Sequence, residues 1–358
     1  GFDLMSKLTS PSGLISNTNC VTENRVHNVE GFDSTAQTYV RVINTSDVAI
    51  GTVRGELRDS SGDLLGASGT ILSSGLQPKQ AIFLTREDLS DRFNATWDGA
   101  ASLEITSEAQ GLKLLNLNFV NNETFFNFSC FESSASGGVY LMTNSQSLNI
   151  SETHIINTSG ASQDFTGTLY GGDGVQLGAA NVSLSDSSVS RNARLVLSAP
   201  DLETRFGVSP WPGPAVLEVS ATGTFELMTK LTSPSGLISN TNCVRSNYVQ
   251  NLEGQDSDNF TYIRFINAGS DTITGLRATL YDSDGDIIGS ESTEVISTLA
   301  PKQATWINRN HATDLFGAWN GEATLKVEAD HLPDLKLINL NFVNNETFFN
   351  FSCYESGQ

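Results

Sequence analysis

Residues 4–21 read LMSKLTSPSGLISNTNCV, and residues 227–244 read LMTKLTSPSGLISNTNCV, the same phrase with one change. A sister phrase, LKLLNLNFVNNETFFNFSCFES, fills residues 112–133 and returns as LKLINLNFVNNETFFNFSCYES at 335–356. Each phrase carries a cysteine near its end: Cys20, Cys130, Cys243 and Cys353, spaced 110, 113 and 110 residues apart. A fixed period of this length marks a tandem array, and each phrase reads as the closing segment of one unit.

Working outward from the cysteines, the chain divides into an N-terminal closing segment, 1–20, and three modules: A over 21–134, B over 135–244 and C over 245–358. Each module is near the common size of a domain. The stretch Tyr39-Val-Arg-Val-Ile-Asn44 is β-branched and alternates in character, as a strand does; Thr153–Asn157 and Tyr262–Asn267 answer it. Gly55–Gly66 reads as strand, turn, strand, with Asp59-Ser-Ser-Gly62 at the turn. Thr85 with Asp88 three residues on predicts a capped helical turn. Leu115, Leu117 and Phe119 alternate with Asn116 and Asn118, which predicts a strand with one buried face. Module C repeats A at an offset of about 223 residues, and B follows the same plan with divergent residues. Many short strands and little helical period predict an all-β fold: three tandem β-sandwich (Ig-like) modules strung end to end, with an extra N-terminal strand segment.

The chain of 358 residues carries a net charge of −20 and is 38% apolar. That charge argues against nucleic acid as a partner, because phosphate binding needs clustered Lys and Arg. No run of 18 apolar residues is present, so no span of a membrane is expected. The chain opens at Gly1 in mid-phrase, which reads as a processed or trimmed product. Four regularly spaced cysteines with no CxxC pair read as disulfides in an oxidising compartment. Two schemes stand: Cys20–Cys130 with Cys243–Cys353, or Cys130–Cys243 with the outer two left for neighbouring chains.

Leu217-Glu-Val-Ser-Ala221, followed by Leu227-Met-Thr-Lys-Leu-Thr-Ser-Pro-Ser-Gly-Leu-Ile-Ser-Asn240, is similar to a repeated module of bacterial secreted and cell-surface proteins. The signature of that family resembles DL…G…W.L.V…VMSLL.SPTGHLTN. This chain has Leu14 and Leu237 where the family often has His, and Asn-Asn-Glu-Thr at 121–124 where it has Ser-Pro-Ser-Gly. The resemblance implies an extracellular β-rich module without established catalysis, and it assigns no site residue.

Three features invite a chemical reading. Trp97, Trp211 and Trp319 recur once per module, each beside a turn glycine. They read either as sugar-stacking platforms for a glycan ligand or, preferably, as plugs at one end of each core. Asp282-Ser-Asp284-Gly-Asp286 sets carboxylates at alternate positions, as calcium loops do, but Ile287 and Thr293 stand where an EF-hand needs Gly and Glu. A solvated hairpin turn is the preferred reading, with calcium as the one cofactor considered. His27, His154, His311 and His331 do not recur at one position, and no nucleophile elbow, HExxH or P-loop is present, so no catalytic residue is assigned. Ten Asn-x-Ser/Thr sequons, Asn44 and Asn157 among them, reflect Asn, Ser and Thr richness or, in a eukaryotic secreted protein, glycan sites.

The spare phrase at 1–20 needs a strand partner, because an exposed edge promotes association. It would pack on module A or complete a sheet in another copy by strand addition. The expected function is a non-enzymatic extracellular structural protein. It would be part of a bacterial surface filament, stalk or adhesin, with copies of itself as partner. The alternative is a carbohydrate- or calcium-dependent adhesion module.

Overall fold

The computed structural model describes residues 1–358 except 1, 5, 6, 11–14, 18–20, 108, 109, 122, 123, 130, 131, 142, 242–246, 331, 344–346, 351, 353, 354 and 358. All four cysteines fall outside the described residues, as does His331, so both disulfide schemes do too.

The chain is almost entirely β, in several sheets. The N-terminal phrase holds β1 (Phe2–Leu4), β2 (Lys7–Thr9) and β3 (Ile15–Asn17). Segment A holds β4 (Arg25–Glu30), β5 (Gln37–Asn44), β6 (Val53–Arg58), β7 (Thr70–Ser73), β8 (Ala81–Thr85), α1 (Arg86–Phe93), β9 (Ala100–Ile105), β10 (Leu112–Val120) and β11 (Thr124–Asn127). Segment B holds β12 (Glu132–Leu141), β13 (Ile150–Asn157), β14 (Thr166–Gly171), β15 (Gln176–Ser183), β16 (Arg194–Ser198), α2 (Ala199–Phe206), β17 (Ala215–Thr232) and β18 (Ile238–Asn240). Segment C holds β19 (Tyr248–Glu253), β20 (Phe260–Asn267), β21 (Ile273–Tyr281), β22 (Ile287–Leu299), β23 (Ala304–Asn308), α3 (Arg309–Phe316), β24 (Glu322–Glu328), β25 (Leu335–Val343), β26 (Thr347–Asn350) and β27 (Glu355–Gly357).

One connectivity occurs three times. In A, a sheet ordered β4-β9-β6-β7 accompanies a sheet ordered β11-β10-β5-β8. In C the orders are β19-β24-β21-β22 and β26-β25-β20-β23. In B the two sheets are joined, because the 18 residues of β17 run through both. Its first part pairs with β12 and β14, as β9 pairs with β4 and β6. Its last part pairs with β13 and β18, as β10 pairs with β5 and β11. Registers agree as well: Leu112 faces Asn44, Phe225 faces Asn157 and Leu335 faces Asn267.

Each segment encloses its own core, and the core contains its tryptophan and the last Phe of its helix: Trp97 with Phe93, Trp211 with Phe206, Trp319 with Phe316. Each helix lies directly after a strand. The Thr85 side chain accepts from the Asp88 amide while the Asp88 carboxylate accepts from the Thr85 amide, and Ser198 with Asp201 repeats this reciprocal cap. Asn308 caps α3 from one side only, since His311 stands at the matching position. Thr85→Ala and Ser198→Ala should therefore each cost about 1 kcal/mol in urea unfolding, and Asn308→Ala less.

Three expectations need correcting. Gly55–Gly66 pairs only close to its turn, where the Asp59 and Leu65 amides donate to the Asp63 and Leu57 carbonyls and Leu64 bridges Arg58, and the strand that pairs with β6 along the sheet starts at Thr70. The closing phrase is buried on both faces, not one, since Asn116 and Asn118 are as buried as the leucines beside them. Asn118 is satisfied there by accepting from the Thr38 hydroxyl at 2.6 Å and donating to the Asn28 carbonyl at 3.0 Å. Finally, the segments are not strung end to end. Phe126 and Phe128 of A, Met228 and Leu237 of B, and Val343 and Phe349 of C share one apolar cluster. The rings of Phe126 and Phe349 stack at 5.4 Å and 5°. The spare phrase closes the circuit, because β1 pairs antiparallel with β27 at the opposite end of the chain.

Candidate functional site

The side chains with unusual environments gather where one segment meets the next. Each meeting uses the same device. The turn after β6, residues Asp59–Asp63, is tied internally by Asp59, whose Oδ1 accepts from the amides of Ser61 (2.9 Å) and Asp63 (3.0 Å). Its tip enters the loop before β16: the Arg194 amide donates to the Ser60 carbonyl at 2.9 Å. Gly62 has φ +87°, and a Cβ there would stand 2.4 Å from the Arg191 carbonyl oxygen, so only glycine fits. The turn after β14 does the same to segment C. There the Ala304 amide donates to the Gly172 carbonyl at 3.0 Å, and a Cβ on Gly174 would stand 2.4 Å from the Pro301 carbonyl oxygen.

Behind these contacts the two seams differ in chemistry. The B–C seam is apolar: Tyr140 and Val216 of B pack with Ile266, Ala304, Ile338 and Leu340 of C. One ion pair borders it, Lys302 to Glu218 at 2.9 Å. The A–B seam is charged and buried. Arg25 lies 2.7 Å from Glu104 and 3.5 Å from Glu226 of segment B. His27 is fully buried, pairs through Nε2 with Glu226, and has Nδ1 3.0 Å from the Ser102 hydroxyl. Arg194 donates to the His27 carbonyl, and Lys230 sits 3.9 Å from Glu30 and over the Phe128 ring at 5.4 Å. His154 lies 3.5 Å from Glu152.

Burial dominates the titration of this cluster. It lowers the pKa of His27 below the ordinary imidazole value, against the opposing pull of Glu226. Burial, aided by Lys230, lowers that of His154 to about 3. Burial also brings Arg194 down to about 10. Both histidines are therefore neutral at pH 7, and His27 and His154 are closed off from solvent. The arrangement joins segment A to segment B through Arg25, His27, Glu226 and Arg194.

The residues singled out in the sequence are not brought together. Trp97, Trp211 and Trp319 are buried in three separate cores. The Trp97 ring N–H donates to the Val29 carbonyl at 3.1 Å and that of Trp319 to the Leu252 carbonyl at 3.3 Å. Asp284 and Asp286 lie exposed and Asp282 half-buried on the turn of segment C. The Asp282 carboxylate accepts from the amides of Asp284 (3.0 Å) and Asp286 (2.9 Å), the same local tie as Asp59 makes. Among the described residues no group of three or more His, Cys, Asp and Glu side chains is arranged to hold a metal ion. Asn44 and Asn157, both within sequons, are fully buried, which leaves no room for a glycan on either in the folded chain. The charged seam was missed by the sequence reading: its members do not recur between copies, and His27 and Glu226 are 199 residues apart. Among the described residues no helix is long and apolar enough to cross a membrane.

No family model and no curated protein matches the chain. Among solved structures it is similar to one titled "The Triple Jelly Roll Fold and Turret Assembly in an Archaeal Virus", at 10% identity and a TM-score of 0.18, over 95% of this chain and 88% of that one. It is also similar to "Biofilm associated protein - BSP domain", at 7% identity and a TM-score of 0.18, over 97% and 94% of the two chains. Likeness at that level carries no argument about fold or function.

Proposed function

We propose that this chain is a structural protein: a non-enzymatic, extracellular building block of a surface assembly, made of three tandem β-sandwich modules over residues 21–134, 135–244 and 245–358. Residues 1–20 add a closing hairpin to that body. The observation that carries this reading is where the recurring residues go. Trp97, Trp211 and Trp319 fill cores; Asn44, Asn157 and Asn267 tie loops; Gly62 and Gly174 seat one segment in the next. What the copies share holds shape and neighbours, and the buried titratable groups lie at a seam out of reach of solvent. The acidic surface keeps such a body soluble until it meets a partner of matching shape. Copies of the chain are the partner this reading expects. Sedimentation and negative-stain imaging over a concentration series test it: ordered multimers that grow with concentration are expected. A monodisperse monomer at the highest concentration reached, or turnover of any substrate at a defined cleft, would overturn it.

A further inference from the structure

The turn-in-loop device appears twice with both halves engaged, and once with each half empty. The turn of segment C is Asp282–Asp286, and its glycine, Gly285, has φ +87°, the same as Gly62. Around Gly62 and Gly174 a neighbouring segment stands within 2.4 Å of the missing Cβ; around Gly285 nothing lies within 4 Å. The loop before β8, Gln77–Gln80, is the counterpart of the two loops that receive a turn. The amide of Ala81, equivalent to those of Arg194 and Ala304, donates to none of the described residues. Lys79 is equivalent to Lys302, yet its side chain is 62% exposed against 17%: Lys302 has Glu218 of the preceding segment beside it, whereas Lys79 has the Thr45 carbonyl and the exposed Asp47 of its own segment. Ile43 and Ala81 are half-buried where their counterparts Ile266 and Ala304 are buried under segment B.

The two empty halves face one gap. β1 and β27 pair as Phe2 with Gly357 and Leu4 with Glu355. In segment B, Phe225 pairs with Ser134 and Leu227 with Glu132, the same register moved by 223 residues. The closing hairpins also follow one another in a circuit: β3 beside β11, β11 beside β18, β18 beside β26, and β26 beside β3. A fourth sector thus has its closing hairpin and its first seam, but lacks the strands that correspond to residues 136–223.

We propose that this sector is the docking site for one further body of the B type, which completes a ring of four in the order A, B, C, B. Charge and shape both choose a B body over a second A-like one. The turn of C carries three aspartates, and the loop that receives an A-type turn in segment B carries Arg191 and Arg194. The corresponding sheet of A carries Ile43, half-buried, Lys79, exposed, and Leu115 and Leu117, already buried, at the positions of the Ile266, Lys302, Ile338 and Leu340 on which Tyr140, Val216 and Glu218 of B rest. An A-type first sheet would instead set Arg25, Glu56, Arg58 and Glu104 against that apolar face. A whole second copy does not fit the gap, since its own flanking segments would claim the space of C and A. This inference stands on the seam geometry and is independent of whether copies assemble further.

The test is a chain of residues 1–358 followed by a second copy of residues 136–223, compared with the unextended chain by hydrogen exchange. The Ala81 amide should exchange at least tenfold more slowly in the extended chain, approaching Ala304, while sedimentation reports a monomer. An unchanged Ala81 rate with the added strands folded by circular dichroism would overturn the proposal, as would dimerisation of the unextended chain through this face. A second comparison holds even if the extension does not fold. In the unextended chain Gly62→Ala and Gly285→Ala carry the same φ penalty, so the excess cost of Gly62→Ala reports the seated turn alone. We expect Gly62→Ala to lower Tm by several degrees more than Gly285→Ala; equal shifts would contradict the fit of turn to loop.

Discussion

Replacing Asn44, Asn157 or Asn267 by leucine should cost about 4 kcal/mol each, the largest effect of any single polar substitution in the chain. Each amide sits where strand and loop part, and each does the same work. Asn44 donates to the carbonyls of Val48 (2.8 Å), Leu76 (3.3 Å) and Gln77 (3.0 Å), and its Oδ1 accepts from the Ser46 amide at 3.0 Å. Asn157 donates to Ala161, Val189 and Ser190 at 2.8, 2.9 and 3.1 Å. Asn267 donates to Asp271 and Leu299 at 2.7 and 3.0 Å. Leucine keeps the volume but removes every bond the amide makes, at roughly 0.5–1.5 kcal/mol apiece, and around Asn44 the carbonyls of Val48, Leu76 and Gln77 keep only the Ser46 hydroxyl and the Ile50 and Gln80 amides. Asp at the same sites should do no better, because it trades two donors for a buried charge. Urea unfolding checks this; a loss below about 1.5 kcal/mol would mean that the loops satisfy themselves another way.

The second large effect belongs to the A–B seam. Glu226→Leu takes one of two carboxylates from Arg25, which keeps Glu104 at 2.7 Å, and removes the Glu226 acceptor of the neutral, buried His27, a loss of about 1–3 kcal/mol. The same seam should make the protein acid-sensitive above the range where carboxylates titrate. His27 and His154 are held neutral in the folded state, while an unfolded imidazole takes its proton below about pH 6.5. The unfolded state then binds more protons than the native one, so stability falls as pH falls, by about 1.4 kcal/mol per unit for each histidine that stays neutral. For His154 the fall continues to its folded value of about 3. Of the groups packed around it, Glu152, held below the usual carboxylate range, and Arg194, at about 10, keep their charges between pH 7 and 5, while burial lowers Lys230. Denaturation at pH 7 and pH 5 should differ by about 2 kcal/mol from His154, which His154→Gln should remove, with His27 adding a loss of the same sign. A profile flat between those values would place the histidines in contact with solvent.

The sequence announced its repeats openly, since Trp97, Trp211 and Trp319, the Asn44 set and the Thr85–Asp88 cap each sit at matched positions and each acts within its own copy. Interactions between copies were illegible for a physical reason. A repeat shows what the copies have in common, whereas a seam joins unlike faces: His27 of one segment meets Glu226 of the next, and the corresponding positions elsewhere hold Gln250 and Asp3. The burial of both faces of β10 was hidden likewise, because Asn116 and Asn118 read as solvent-facing, and the Thr38 hydroxyl and Asn28 carbonyl that satisfy Asn118 come from strands far away in the sequence. The turn glycines were legible as turn residues, while their second duty of admitting a neighbour's carbonyl was not.

The three copies close around a shared apolar centre, with β1 paired to β27, and small-angle X-ray scattering addresses this directly. A compact body of this length should show a radius of gyration of about 20 Å, whereas three beads of the same size in a row would give about 30 Å. The smaller value is expected for the single chain, on extrapolation to infinite dilution. The larger one would separate β1 from β27 and leave Phe126 and Phe349 without each other.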